Sequence, residues 1–177
     1  MKRILFVLAT VILSACQTPA RYQGNEDSSY FQVPAGSRLV LARDITIPAD
    51  KLAVFLQDGQ VSDSRAHLDL YKTYCKFSLH KTSAVARPVM ADDFEITRVR
   101  KNVFWARADY VQFADRDGGF SMVVSTTILE LRSERQPQVA NLACEKWDFP
   151  VDSTYPSISG IRQALGDVFN LKIASRN

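Results

Sequence analysis

From about residue 37 onward, the apolar runs of this chain are short, and turn-forming residues interrupt them repeatedly. Residues 38–41 and 44–47 precede Pro48, and residues 52–56 end at an Asp-Gly pair. Short runs bounded in this way are typical of β-strands, whereas helices need longer patterns with a spacing of roughly three to four. The sequence therefore predicts a mainly β fold.

Alternation of apolar and polar residues indicates strands further along the chain. The apolar members of two such segments are Cys75, Phe77, Leu79, Phe94 and Ile96. Successive side chains of a strand point to opposite faces of a sheet, so Cys75 is expected on the buried face. Residues 139–147 predict another strand, on which Leu142 and Cys144 share a face.

The strongest hairpin pattern lies in the middle of the chain. Residues 103–113 and 120–131 are rich in apolar residues, and the segment 115–119 between them reads Asp-Arg-Asp-Gly-Gly. A short turn of this composition between two such segments is typical of a β-hairpin. We therefore expect the two segments to pair as antiparallel neighbours.

The last part of the chain has a helical pattern instead. Ser157 is a candidate N-cap, and Gly166 is a candidate helix breaker. The apolar residues at helical spacing are Ile158, Ile161, Leu165, Val168 and Phe169. A final strand is predicted at residues 171–173. The fold class predicted from all of these patterns is mainly β (α+β): a single antiparallel β-sandwich or partly closed barrel with a C-terminal helix.

The N-terminus has the three regions of a secretory signal peptide. Lys2 and Arg3 are followed by an almost unbroken apolar run at residues 4–12, and small residues precede Cys16. The run is much shorter than the roughly 20 residues that cross a hydrocarbon core. We expect residues 1–15 to be removed rather than to span a membrane.

The sequence Leu13-Ser14-Ala15-Cys16 resembles the lipobox of type II signal peptides, which belong to bacterial lipoproteins. This resemblance implies a diacylglyceryl group on the Cys16 thiol, cleavage before Cys16 and acylation, by palmitate for example, of the new amino terminus. Two or three acyl chains would anchor the protein stably to a membrane. Gln17, rather than Asp, follows the cysteine, which is similar to the outer-membrane pattern of Gram-negative lipoproteins. The expected location is the cell outer membrane, facing the periplasm.

The composition of the following segment predicts a flexible tether. Residues 16–36 comprise the lipidated cysteine and a stretch dominated by Pro, Gly, Asn, Glu, Asp and Ser. Tyr30 and Phe31 are exceptions that we expect to pack on the domain. Residues 37–177 are predicted to form a single β-rich domain, since removing 15 of the 177 residues leaves a length that suits one domain.

The charge balance argues against nucleic-acid binding. The chain has 22 basic and 19 acidic residues, and losing Lys2 and Arg3 with the signal lowers the formal net charge from +3 to +1. Nucleic-acid affinity depends on neutralising many phosphates, which needs a strongly basic surface. We predict no nucleic-acid partner.

The cysteine count predicts a disulfide bond. Of the three cysteines, lipid would occupy Cys16, which leaves Cys75 and Cys144. An even remainder in an oxidising compartment favours a bond between them, tying an early strand to a late one. The alternatives are two separate buried thiols and metal ligation, which the absence of C-x-x-C spacing disfavours.

Signals for catalysis or metal binding are weak. His67 and Asp69 offer two metal ligands with no third nearby, and the segment 115–118 has only a faint similarity to a calcium loop. The chain has neither a G-x-S-x-G motif nor a lone reactive cysteine beside a histidine. We therefore predict a non-enzymatic protein with no metal and no cofactor.

Basic residues cluster at one place along the chain. Arg98 and Arg100 alternate on one face of a predicted strand, and Lys101 and Arg107 are close in sequence. We call these four residues the basic stripe. They are candidates for contact with an anionic lipid phosphate, a peptidoglycan carboxylate or a protein partner, because guanidinium groups bind such anions in pairs. A solvated strand face that limits edge pairing is the alternative interpretation.

The sequence favours an accessory or scaffold component of an envelope assembly, held to the membrane by lipid and bound to an envelope protein. One alternative is a carrier or sensor that binds a small apolar or anionic ligand in a β-barrel, although the chain lacks the G-x-W signature of lipocalin-like barrels. A second alternative is an envelope hydrolase. An apolar cavity would favour the carrier. Convergent titratable groups in a cleft would favour the hydrolase. A filled core with an exposed patch would favour the scaffold.

Overall fold

The structure is a computed structural model that describes residues 25–107 and 121–174. Its strands are β1 Arg38–Leu41, β2 Ile45–Ile47, β3 Ala53–Gln57, β4 Gln60–Ser62, β5 Tyr74–Leu79, β6 Arg87–Val89, β7 Asp92–Arg107, β8 Ser121–Arg132, β9 Val139–Asp148 and β10 Phe169–Lys172. A 3₁₀ turn at Pro150–Asp152 and the helix α1 Ile158–Leu165 lie between β9 and β10.

Eight of these strands form one large sheet. Their order is β10-β1-β7-β8-β9-β5-β3-β4, all neighbouring strands are antiparallel, and the sheet curls into a half-barrel. The strands β2 and β6 form a separate antiparallel pair. The predicted mainly β, antiparallel fold with a C-terminal helix is confirmed.

The central hairpin pairs as the sequence predicts. The partners of β7 and β8 run from Glu95 opposite Arg132 to Arg107 opposite Ser121. The strand β7 is a single long strand that continues through a register shift between Ile96 and Arg98. The sequence presents the parts before and after this shift as separate segments. The predicted turn at residues 115–119 lies outside the described residues.

The predicted disulfide bond is present. Cys75 on β5 and Cys144 on β9 are directly opposite each other, with an S–S distance of 2.10 Å. Both residues are fully buried, as the alternation on each strand predicts. The bond therefore joins two adjacent strands through the core side of the sheet.

The concave face of the half-barrel carries the main core. The helix α1 packs against β3, β5 and β10 on this face, and the ring of Phe77 lies 5.0 Å from that of Phe169 and 6.0 Å from that of Phe94. Side chains therefore fill the concave face beneath the helix. Among the described residues, no helix has the length and apolarity required to cross a membrane.

The helix is shorter than its apolar spacing suggests. The Ser157 side chain caps it by accepting a hydrogen bond from the Gly160 amide at 3.1 Å, as predicted. It ends at Gly166, where φ is +55° and an added Cβ would lie only 2.5 Å from the Gly59 Cα. Val168 and Phe169 consequently lie beyond the helix, and Phe169 begins β10.

Residues 25–36, which the composition assigns to the tether, contact the domain. Val33 belongs to the buried core, and Phe31 packs against it. The carbonyl of Glu26 accepts a hydrogen bond from the Ile158 amide at 3.0 Å, which satisfies a donor at the start of α1. The Glu26 carboxylate also pairs with Arg162. This segment, which we call the strap, runs over the concave side of the sheet.

Candidate functional site

The strand β7 is paired differently along its length. Residues Asp92 to Glu95 pair with β1 on one side, and the Ile96 amide still donates to the Ser37 carbonyl at 2.9 Å; on the other side, β8 pairs from Glu95 onward. Beyond that point β1 ends, and residues 97–107 have β8 on one side only. Within the described parts of the chain, neither a strand nor a backbone hydrogen bond lies on their other side. We call residues 97–107 the β7 edge.

The register shows which backbone groups of the β7 edge point outward. The Cα atoms of Cys75 and Cys144 are 4.0 Å apart, a spacing that identifies a non-hydrogen-bonded pair. Cys144 is opposite Thr127, which is opposite Lys101. Bonded and non-bonded pairs alternate across the sheet, so the N–H and C=O of Lys101 face away from β8. Val99, Val103 and Trp105 lie two or four positions from Lys101, so their N–H and C=O groups also face away from β8.

Three consecutive exposed apolar residues lie on the β7 edge, with Val103 and Trp105 on the concave face and Phe104 on the convex face. The exposed fractions are 51% for Val103, 48% for Phe104 and 66% for Trp105. The sequence analysis assigned these residues to the hairpin but did not predict that their side chains are exposed. The available signal was the unbroken Val-Phe-Trp run, which lacks the alternation of a strand with one solvated face. We call these three residues the apolar tip.

The structure brings two members of the basic stripe together. Arg98 and Arg100 are exposed on the convex face, and Arg98 is directly opposite Glu130 on β8. The Arg100 guanidinium donates to one Glu130 carboxylate oxygen from Nη2 at 2.5 Å and from Nε at 3.1 Å. Among the described residues, the ion pair with Glu130 therefore belongs to Arg100, and Arg98 forms none. Arg107 ends β7, and its side chain lies outside what the structure describes.

Lys101 lies on the opposite, concave face and holds the strap. Its Nζ donates to the carbonyl oxygens of Ser29 at 2.7 Å and Phe31 at 3.2 Å, and lies 4.8 Å from the centre of the Tyr155 ring. Burial lowers the pKa of Lys101. The basic stripe is therefore divided between two faces, with Lys101 engaged inside the protein.

A buried carboxylate lies at the other end of β7. The side chain of Asp92 is 4% exposed and accepts hydrogen bonds from Ser133 Oγ at 2.6 Å, Gln136 Nε2 at 3.1 Å and the Asp93 amide at 2.8 Å, as well as from Arg135. Burial alone would raise the pKa of Asp92, but these donors outweigh burial and hold it well below its usual range.

Sequence reasoning did not identify Asp92 as a structural centre. The available signal was its parity, because it lies two and four positions before Phe94 and Ile96 and therefore on their buried face. A carboxylate on a buried face needs donors to offset its desolvation. Those donors come from residues 133–136, about forty positions away, and the sequence does not show which residues supply them.

Charged side chains line a cleft of about 370 Å³ beside Asp92. Arg38 pairs with Asp93 at 2.7 Å, and Arg132 pairs with Glu95 at 2.6 Å. A general acid or base needs a pKa near the working pH, whereas the pKa of Asp92 is displaced away from neutrality. The cleft therefore contains convergent titratable groups, but its geometry favours ion pairing that holds together the ends of β1, β7 and β8.

The weaker metal candidates are not brought together with further ligands. His67 is exposed in the loop between β4 and β5, and the Asp69 carboxylate accepts a hydrogen bond from the Tyr71 amide at 3.0 Å. In the described ranges 25–107 and 121–174, no group of three potential metal ligands occurs. The calcium-like segment 115–118 lies outside the described residues.

Comparisons with protein-family models, with curated proteins and with solved structures found no match.

Proposed function

We propose that this protein is a non-enzymatic lipoprotein of the cell outer membrane, anchored through Cys16 and facing the periplasm, that serves as an accessory or scaffold by docking an envelope protein. The observation that carries the proposal is the β7 edge with its apolar tip. Here a strand edge with no partner among the described residues and three exposed apolar side chains occur on the same segment.

Both features favour association with another chain. An open strand edge presents N–H and C=O groups that can template pairing with another chain, so proteins usually cover or shorten such edges. Large apolar side chains exposed together mark interaction surfaces more often than chance exposure does. Their combination supports docking of a polypeptide, which can satisfy the backbone groups and cover the apolar side chains.

Other regions offer less support for the alternative functions. The helix α1 and the aromatic side chains of Phe77, Phe94 and Phe169 occupy the concave face, where a carrier would need room for its ligand. The cleft beside Asp92 holds carboxylates that are already paired with arginines. Scaffold function agrees best with this distribution of filled and exposed surfaces.

Site-specific photocrosslinking in intact cells tests the docking proposal. A photoreactive residue at Phe104, in the apolar tip, should form an adduct with an envelope protein. The matched control is Val85, which is 68% exposed but lies on the loop between β5 and β6. The same adducts from both positions, or none from Phe104, would contradict the proposal.

The anchor has its own test. Cys16→Ser should leave the unprocessed precursor in cells and abolish palmitate labelling, because serine lacks the nucleophilic thiol that accepts the lipid. Cys75→Ser is the matched control and should keep the label. Normal processing of the Cys16→Ser variant would mean that an ordinary signal peptidase acts on the chain.

A further inference from the structure

We infer that the docked element is an extended acidic segment of a partner protein that adds to the β7 edge as a further strand. This inference rests on the proposed docking function and specifies the chemistry of the partner. Strand addition requires an unpaired edge, backbone groups in the correct direction and side chains that select the incoming chain.

The backbone groups of the β7 edge meet the first two requirements. Val99, Lys101, Val103 and Trp105 direct their N–H and C=O groups away from β8, as the register shows. From Val99 to Trp105 the edge extends roughly 20 Å at about 3.3 Å per residue. An incoming strand of ordinary length would therefore find alternating donors and acceptors along its whole extent.

The charges of the β7 edge select an acidic occupant. Residues 97–107 contain no Asp or Glu, and Arg98 and Arg100 of the basic stripe are exposed there, whereas Lys101 is held by the strap. On the convex face, Arg100 pairs with Glu130, whereas Arg98 forms no ion pair with any described residue. An added strand would place its own side chains directly opposite both arginines, where opposite charges stabilise a pair and like charges destabilise it.

The same argument disfavours a second copy of this chain. Pairing two β7 edges would bring two basic stripes into one junction without any acidic residue from either edge. The concave face adds a second selection, because Val103 and Trp105 would lie beside the incoming strand. The expected partner segment alternates acidic residues on one face with apolar residues on the other.

Insertion of the hairpin into a membrane is a different explanation for exposed aromatic residues beside arginines. The hairpin continues past Trp105, and the segment joining β7 to β8 contains Asp109, Asp115 and Asp117. Carboxylates are costly to place in hydrocarbon and are repelled by anionic lipid. Because the same segment also contains Arg116, Tyr110 and Phe113, we commit to a protein partner and make a lipid surface an outcome of the test below.

Peptide binding to the full mature chain, purified in detergent, tests the inference. The probe is a fluorescent peptide of about six residues that alternates glutamate with valine, a typical strand length. Its control replaces each glutamate with lysine. We expect the glutamate peptide to bind at least about tenfold more tightly, measured by fluorescence anisotropy.

Two variants separate the backbone contribution from the side chains. Val103→Pro removes an outward N–H without touching the bonds to β8, and should weaken binding of the glutamate peptide about tenfold. Val103→Thr keeps that N–H and a similar shape, and should stay within about threefold of the original chain. If the proline variant loses the fold, N-methylation of alternate peptide residues replaces it and should weaken binding equally.

Charge reversal tests the selectivity. Arg98→Glu should lower the affinity for the glutamate peptide about tenfold and raise the affinity for the lysine peptide by a similar factor. Equal binding of the two peptides, or equal effects of the proline and threonine variants, would overturn strand addition by an acidic segment. Binding confined to anionic vesicles, or a dimer that Val103→Pro abolishes, would overturn it in favour of a membrane or a second copy.

The outcome also distinguishes this inference from the function on which it rests. If Phe104 crosslinks to an envelope protein while the peptides fail to bind, docking stands and strand addition is wrong. If neither crosslink nor peptide binding occurs, both are wrong.

Discussion

The two halves of β7 differ in where their polar groups find partners. In residues 92–96, β1 pairs with Asp92 to Glu95 and β8 pairs with Glu95 and Ile96, and four groups of the same chain donate to the inward-facing carboxylate of Asp92. In the β7 edge, residues 97–107, one side is paired and the apolar tip is exposed. The polar groups of the first half thus find partners within the domain, whereas the outward backbone groups of the β7 edge have no backbone partner among the described residues.

The difference has a simple origin in strand length. β1 has four residues and β7 has sixteen, so β1 covers only the beginning of β7. β8 has twelve residues and pairs with β7 along nearly its whole length, which keeps the β7 edge extended. The closed half should therefore govern stability, and the β7 edge should govern binding.

The largest expected effect comes from breaking the disulfide in the closed part of the sheet. Cys75→Ser should lower the free energy of unfolding by about 2 to 5 kcal/mol, because the bond restrains the unfolded chain and joins fully buried sites. Urea denaturation measures the change. Because β5 is separated from β7 by two strands, crosslinking from Phe104 should persist wherever the variant is folded.

The double variant provides the control for this prediction. Cys75→Ser combined with Cys144→Ser should be no less stable than either single variant, since each removes the same bond. Alkylation of both thiols in the unreduced mature protein would contradict the bond itself.

Asp92→Asn should have the next largest effect and lower the free energy of unfolding by about 1 to 3 kcal/mol at neutral pH. The reason is that an amide cannot accept the same charged hydrogen bonds. The pKa of Asp92 is lowered in the folded protein, so its contribution is complete above the ordinary value of 3.8 and is lost as the pH falls below it. The stability gap between the original chain and the variant should therefore shrink from about pH 7 to about pH 3.

A neighbouring carboxylate serves as the control for Asp92. Asp93 is a partly exposed residue paired with Arg38, and Asp93→Asn should cost less than about 1 kcal/mol. Equal effects of the two substitutions, or a gap that grows on acidification, would show that Asp92 does not hold the closed half together.

The sequence predicted the parts of the fold that local patterns determine. Alternation around Cys75 and the two apolar segments that flank residues 115–119 are visible in a few neighbouring residues. The described parts of these segments form strands that pair as expected. Gly166 was identified as the helix breaker, and α1 ends there, but the helical spacing wrongly extended to Val168 and Phe169. The close approach of Gly166 to Gly59, which enforces this end, could not be inferred because the two residues are distant in sequence.

The candidate site was only half visible from the sequence. Alternation placed Arg98 and Arg100 on one face, which the structure bears out. The open edge could not be inferred, because it results from β1 ending opposite residue 95 and from the order of nonadjacent strands. Likewise, Lys101 could not be assigned to the strap without its contacts to Ser29 and Phe31.

Lys101→Met tests the boundary between the two halves. Methionine keeps an unbranched stem but loses both hydrogen bonds to the strap, so the expected loss of stability is about 1 kcal/mol. Hydrogen exchange should accelerate in residues 25–33 and change little in β9. Arg98→Met, on the convex face, is the matched control and should leave the strap protected; equal exchange in both variants would mean that Lys101 does not hold it.

The smallest effect on stability is expected at the apolar tip. Trp105 is 66% exposed, so Trp105→Ser should change the free energy of unfolding by no more than about 0.5 kcal/mol while abolishing the crosslink from Phe104. Trp147 is the matched control, since it is half-buried and its Nε1 donates to the Tyr74 hydroxyl at 3.2 Å. Trp147→Ser should therefore cost more stability in thermal unfolding. A Trp105→Ser variant that loses as much stability as Trp147→Ser would show that the apolar tip belongs to the domain's own packing rather than to a docking surface.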